Sequence, residues 1–348
     1  MASLYVCRSP ACQPSGGTQK SKSGKLNYNL DDLHVEPMVK TVFRPLGHTE
    51  ALRDGTVKPK SFQIEYQDIP VLIQAFRRMV RGSEFDVCEL AFTTYLCAKA
   101  HGKPFTAIPV FPARVFHHGA ILVNTKAGIR NPKDLEGKTV GVHRGYTVTT
   151  GVWARSILQH EYGVDLKKIT WLLSGDEHVQ EFRPPANVVP IQMGKTLEYM
   201  LASGEIPAAV NIELDHPDVK SLIQNPREAG FEALRTRGHY PINHTVVVKD
   251  ELLNAHPDVA VDLFNAFVEA KRPYVERLKA DQIATPSKTD QMYKRVMDIT
   301  GADPLPYGVE PNRKMIEAVI QYGVEQEILS ASFTMEDLFA PGTLHLAG

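Results

Sequence analysis

From residue 25 onward, short β-rich runs alternate with longer helical patterns, and this alternation limits the fold more than any other feature of the chain. The runs LNYNL, SFQIEY, FDVCEL and FTAIPVF are separated by helical patterns near 48–54, in IPVLIQAFRRMV and in FTTYLCAKAHG. Such spacing predicts βα units around a mostly parallel sheet. A second series follows: GAILVN, TVGVHR, KITWLL and AAVNI, with the turn NPKDLEGK and helices over 147–162 and in GKTLEYMLASG. After Pro241, INHTVVVKDELL resumes the strand pattern, and helices are predicted over 259–279, 289–300 and 311–327, placed to pack on the first lobe. With 348 residues, two lobes of this α/β kind are expected. Residues 1–24 have no hydrophobic period and are expected to form a tail outside the fold.

Charge and composition narrow the partners. A formal net charge of -1 offers no long-range field for a polyanion, so nucleic acid is not an expected partner. No apolar run reaches the roughly 18–20 residues of a membrane span, and the first residues lack the roughly 7–15-residue apolar stretch of a secretory signal. A cytoplasmic location without membrane partners is therefore expected. Cys7, Cys12, Cys88 and Cys97 are expected to stay thiols, and the Cys7/Cys12 pair has no second ligand pair at zinc-site spacing. There is no P-loop, no GxGxxG after a strand, and no lysine singled out for pyridoxal phosphate. No HxxxH or HxH cluster signals a metal, although His48, Glu89, His117 and His244 could converge as an N/O site. No cofactor and no metal are expected.

Several segments resemble a known family. FDVCELAFTTYL, IPVFPARVFHHGAILVN, PKDLEGKTVGVHRGYTVTTGVWARSILQHEYGVD and DPLPYGVEPNRKMIEAVIQYGVEQEIL are similar to 4,5-dihydroxyphthalate decarboxylases over about residues 25–342. The PxDLxGKxVGV piece is common to many type II periplasmic binding proteins and indicates fold alone. HRGYTVTTGVWARSILQHEYGV, EFRPPANV and YPINHTVVV are narrower and favour the decarboxylase. The resemblance implies a two-lobed type II periplasmic-binding-protein-like fold, with flanking helices and a ligand cleft between lobes that hinge closure shields from water. The first lobe would comprise residues 25–113 plus 246–348, the second 114–245, with crossings near 114–118 and 240–245. The implied substrate is a small aromatic dicarboxylate, and the C-terminal helices would suit self-association as a homo-oligomer.

Loss of carbon dioxide from an aromatic ring requires protonation of the ring carbon, helped by a hydroxyl para to the departing group. The protein must supply charge for the retained carboxylate, hydrogen bonds for the hydroxyls and an acid near the reacting carbon. For the acid, His48 follows a predicted turn and His244 lies in the return crossing; either can instead be a capping or core histidine. Glu89, at the end of a buried strand, can deprotonate a hydroxyl or bond helix amides. The start of the helix predicted at 147 offers amides, with Thr147 and Thr149, and Arg144 beside them can grip a carboxylate; an N-cap and a solvated charge are the alternatives. Arg114 can bind substrate or fix the hinge. Thr93 opens the helix after Glu89, one of His117 and His118 can face ligand, and Tyr146 and Trp153 can form aromatic walls or helix packing. Glu177, His178 and Arg183 belong to a narrower segment that can equally be a surface loop. The competing function is a solute-binding or sensor protein for an aromatic acid or pyrimidine-like ligand, which would leave its ligand intact.

Overall fold

Runs rich in Val, Ile, Thr and aromatic residues pair into two sheets, because their branched side chains suit a pleated, buried surface. The computed structural model describes residues 36–348. The expected tail over 1–24, the strand expected at 26–30 and the Cys7/Cys12 pair lie outside the described residues. The strands are β1 (Met38–Val42), β2 (Gln63–Tyr66), β3 (Val87–Ala91), β4 (Phe105–Arg114), β5 (Ile121–Asn124), β6 (Thr139–Val142), β7 (Thr170–Leu173), β8 (Val188–Pro190), β9 (Ala208–Val210), β10 (Val219–Ser221) and β11 (Ile242–Lys249). The helices that matter for the site are α1 (Glu50–Arg53), α2 (Leu72–Gly82), α3 (Phe92–Ala100), α4 (Thr149–Tyr162), α5 (Leu197–Ser203) and α6 (Pro226–Arg237). The later ones are α7 (Asp250–Ala255), α8 (Val259–Lys279), α9 (Lys288–Thr300), α10 (Arg313–Glu325) and α11 (Met335–Leu338).

One sheet has the order β2-β1-β3-β11-β4 and the other β10-β5-β9-β6-β7-β8, giving a two-lobed α/β fold. Both sheets are mixed. β1 runs parallel to β2 and β3, and β6 parallel to β7 and β9, as βα units require. β11 is antiparallel to β3 and β4, and β5 is antiparallel to β9 and β10. The cause is connectivity. β5 and β11 each arrive from the other sheet, so they enter at the end where the parallel strands leave and must run the opposite way. The parallel strands therefore deliver their carboxyl ends to the region where the chain crosses, which is where open α/β sheets hold ligands.

The two lobes share apolar packing. Phe92, Tyr95 and Leu96 of α3, Val152, Trp153 and Ile157 of α4, and Ile316, Val319 and Ile320 of α10 belong to one buried cluster that continues into both sheets. No helix among the described residues is long and apolar enough to cross a membrane.

Candidate active site

β3 consists of buried residues throughout, so the carboxylate it carries at Glu89 is removed from water and must be paired to remain charged. Arg44, two residues past the end of β1, supplies the charge. Its backbone amide donates to Glu89 Oε2 at 2.9 Å, and its Nε and Nη2 donate to Oε1 at 3.0 and 2.8 Å. His244 of β11 pairs with β3 at Ala91, and its Nδ1 lies 2.6 Å from Glu89 Oε1. Burial disfavours the Glu89 carboxylate, but the Arg44 charge and then the His244 contacts outweigh it and hold the carboxyl far below the usual range. With a carboxylate accepting at Nδ1, that nitrogen carries a proton and Nε2 is left for other work. Burial lowers the His244 pKa, while Glu89 acts to raise it.

His244 borders a cleft of about 660 Å³, within the size range of small-molecule sites. Ile73 and Phe76 of α2, Ala91, and Val115, Phe116 and His117 of the crossing line one part. His143, Arg144, Val148, Thr149, Thr150, His178, Glu198 and the segment Asn211, Ile212, Glu213 line the rest. An adjoining hollow lined by Arg44, Pro45 and Gln67 shares Ile73, Phe76, Arg144 and His244 with it. Arg144 lies two residues past the carboxyl end of β6 and Asn211 one residue past that of β9, with φ of 68° and 63°. This left-handed backbone costs a non-glycine residue about 1–2 kcal/mol, and such strain concentrates where side chains are aimed for function. The Arg144 amide donates to Ser174 Oγ at 2.9 Å, while its half-buried guanidinium has no hydrogen-bond or ion-pair partner among the described residues.

Comparison with known proteins covers most of the chain. The chain is 31% identical over 288 residues to a 4,5-dihydroxyphthalate decarboxylase from Comamonas testosteroni, covering 78% of this chain and 87% of the relative. It belongs to the 4,5-dihydroxyphthalate decarboxylase family. A second member, from Pseudomonas putida, is 33% identical over 206 residues, covering 55% of this chain and 77% of that protein. No protein-family model matches the chain. Among solved structures, the ligand-binding component of an ABC-type import system from Staphylococcus aureus superposes with a TM-score of 0.50 at 11% identity, over 90% of this chain and 99% of that one. The periplasmic aliphatic sulphonate binding protein of Escherichia coli gives a TM-score of 0.48 at 13% identity, over 87% and 91% of the two chains. The first of these likenesses is one of fold.

In this family member the structure gathers some of the expected site residues and separates others. His244, His117, Arg144 and Thr149 border the cleft. His117 is buried and its Nε2 donates to Asn243 Oδ1 at 2.7 Å; burial brings its pKa down to about 3, so the ring is neutral. His48 is not in the cleft lining. Its Nε2 donates to the Pro112 carbonyl at 2.9 Å, its ring packs against Tyr274 and Tyr293, and burial lowers its pKa to about 4. Arg114 is a structural tie: Nη1 donates to the Tyr240 carbonyl at 2.9 Å, Nη2 to Asn312 Oδ1, and the guanidinium lies over the Tyr240 ring. The expectation that Glu89 meets a substrate hydroxyl is corrected, because both its oxygens face Arg44 and His244 and the side chain is fully buried.

The helix start differs as well. α4 begins at Thr149, and the amides of Tyr146 and Thr147 donate to the Glu177 carboxylate, as does Thr147 Oγ1 at 2.7 Å. Thr147 therefore offers no free amide to a ligand. Thr93 is buried and binds α3 to α4, its amide donating to Thr149 Oγ1 at 3.1 Å and its hydroxyl to the Thr147 carbonyl at 2.5 Å. Trp153 is wholly buried with Nε1 donating to the Ile242 carbonyl at 2.9 Å, and Tyr146 lies under the Arg155 guanidinium at 3.8 Å, so both are core residues. His118 pairs with Glu161 at 3.1 Å away from the cleft, and Arg183 bonds to neighbouring carbonyls. His48, Glu89, His117 and His244 do not converge on one point, and among the described residues no group of three or more His, Cys, Asp or Glu is arranged to hold a metal ion.

Sequence reasoning missed Arg44, His143, Asn211 and Glu198. Arg44 was discoverable in principle: a buried Glu89 demands a cation, and VFRPLG places one just past a strand. Nothing local marks the others.

Proposed function

We propose that the chain decarboxylates 4,5-dihydroxyphthalate to 3,4-dihydroxybenzoate and carbon dioxide, with His244 as proton donor and Glu89 and Arg44 as the groups that orient it. The observation carrying this reading is the buried Glu89–His244 contact of 2.6 Å on the wall of a cleft that also presents the unpaired Arg144 guanidinium. The family to which the chain belongs supports the same chemistry. Arg144, with the first-turn amides of α4 at Thr149 and Thr150, suits the carboxylate that stays. His143, Asn211 and Glu198 are the acceptors available to the ring hydroxyls.

The steps balance without a redox partner. A hydroxyl para to the departing carboxylate loses its proton and pushes charge to the carbon bearing that group. The proton on His244 Nε2 moves to this carbon, giving a cyclohexadienone. The carbon–carbon bond then breaks, its electron pair restores the aromatic ring, and carbon dioxide leaves. The para oxygen recovers its proton, so one proton is consumed overall. His244 regains its proton from water.

Incubation with 4,5-dihydroxyphthalate should release carbon dioxide and 3,4-dihydroxybenzoate in equal amounts. His244→Asn should lower kcat by about 10²- to 10⁴-fold, the usual worth of a general acid. A wild-type protein that binds the diacid and returns it unchanged would instead be the solute-binding or sensor protein. The same proposal takes residues 114–118 and 240–245 as the crossings between lobes, the cytoplasm as the location, and a homo-oligomer as the working form; cell fractionation and light scattering test the last two.

A further inference from the structure

His178 lies in the loop after β7, is 1% exposed, and yet borders the cleft. Its Nδ1 is 3.3 Å from Thr94 Oγ1, while its Nε2 is buried without any partner among the described residues. A buried polar atom left unpaired is costly and calls for an explanation. The surroundings give one. Arg77 and Arg81 reach Asp176 at 2.5 and 2.7 Å, Arg81 also donates to the Glu177 carbonyl at 2.8 Å, and Arg144 stands unpaired beside them. Burial first, then Arg77, Arg144 and Arg81, bring the His178 pKa down to about 4 and keep the ring neutral. The ring of Phe76 packs edge-to-face against both His178 and His244, at centroid distances of 6.2 and 5.2 Å, so one phenyl group separates the two imidazoles.

We propose that His178 is a specificity residue: with Thr94 donating to Nδ1, its Nε2–H donates to the carboxylate that the reaction leaves in place, beside the Arg144 guanidinium. This rests on the decarboxylase reading, and it explains why the reaction stops at one carbon dioxide. A vicinal diacid fills the subsite at His178 and Arg144 with one carboxylate while presenting the other to His244. The monoacid product can satisfy the subsite only by leaving His244 without a carboxylate to act on.

Phthalate, which has both carboxylates and neither hydroxyl, is the probe for the subsite, used in calorimetry on the full chain beside steady-state kinetics with 4,5-dihydroxyphthalate. His178→Phe should weaken phthalate binding and raise KM on the order of 10- to 100-fold, the worth of a hydrogen bond to a charged group, with a much smaller change in kcat. His178→Gln, which keeps an N–H donor, should recover most of the affinity, a recovery that a purely structural role would not produce. Thr94→Val should weaken phthalate several-fold through loss of the hydroxyl that fixes the tautomer, and it serves as the second measurement if His178→Phe melts early. Unchanged phthalate affinity in His178→Phe or in Thr94→Val overturns the proposal, as does a glutamine variant no better than phenylalanine. If phthalate binding falls as expected while the wild type releases no carbon dioxide, the subsite stands and the catalytic reading fails.

Discussion

Glu89 is a buried carboxylate that ties Arg44 to His244 on the wall of the cleft. Its carboxyl is held below the usual range, so the stability it contributes is present above the ordinary carboxylate pKa and is lost as pH falls through the lowered folded value. The same charge acts on His244, opposing burial. In the proposed mechanism the acid form of His244 is the working one, and burial holds its pKa below the ordinary imidazole value. We therefore expect kcat/KM to decline as pH rises through that lowered pKa, and the decline in kcat to come at higher pH because a bound dianion stabilises the imidazolium. Glu89→Gln removes the raising charge and leaves Arg44 unbalanced nearby, so both declines should move to lower pH and kcat at neutral pH should drop by about tenfold or more. A pH–rate profile unaltered by this substitution would separate Glu89 from the proton donor. The sequence marked Glu89 and His244 individually, through a carboxylate in an apolar strand and a histidine in a crossing. It could not mark their 2.6 Å contact, because that comes from β11 inserting beside β3.

At the scale of elements, the loop after β7 is as informative as any helix. Glu177 takes the amides of Tyr146 and Thr147, and a Cβ on Gly145 would lie 2.5 Å from Glu177 Oε2, so only glycine lets the carboxylate come this close. The protein thus fills with its own side chain the amides that the sequence offers as an anion site, and the first-turn amides of α4 begin two residues later, at Thr149. Glu177→Ala should destabilise the fold by about 1–3 kcal/mol, the cost of leaving these amides without their charged acceptor, seen as a melting temperature lower by several degrees. A melting curve identical to wild type would remove Glu177 from this role. α2 and α8 carry a one-sided buried stripe that periodicity reveals, whereas α3 and most of α4 are buried on every face. β8 and β10, of three residues each, escaped because no longer apolar run surrounds them to establish a pattern, whereas the equally short β9 lies within the run AAVNI. α6 was legible yet overlooked: Asn225 and Pro226 give a cap and a first-turn proline ahead of a glycine stop at Gly238.

Across the whole molecule, histidines buried in the neutral state set the acid limit. Burial is the leading cause for His48, His178 and His239, each lowered to about 4, and for His117, lowered to about 3. Below pH 6.5 the unfolded chain binds protons at these sites that the folded chain refuses. Stability therefore falls as pH drops from about 6.5 toward about 4, by up to roughly 1.4 kcal/mol per pH unit for each group. Urea unfolding midpoints measured between pH 7 and pH 5 should decline steadily; a flat response would mean that these rings are charged or exposed in the folded state. The shared cluster of α3, α4 and α10 predicts that both lobes are lost in one transition rather than two, since neither can separate without exposing that apolar surface.

What the sequence determined by itself was whatever depends on neighbours a few residues apart: the βα alternation, the long helices, the family motifs and the buried character of Glu89. Tertiary structure decided which residues meet. It took His48 and Arg114 out of the cleft by giving them carbonyl and amide partners from distant segments, and it brought Arg44, His143 and His178 to the cleft or its margin. The physical reason is that a side chain's chemistry is fixed by its own covalent structure, whereas its partners and its access to water depend on strands and loops that are neighbours in space alone.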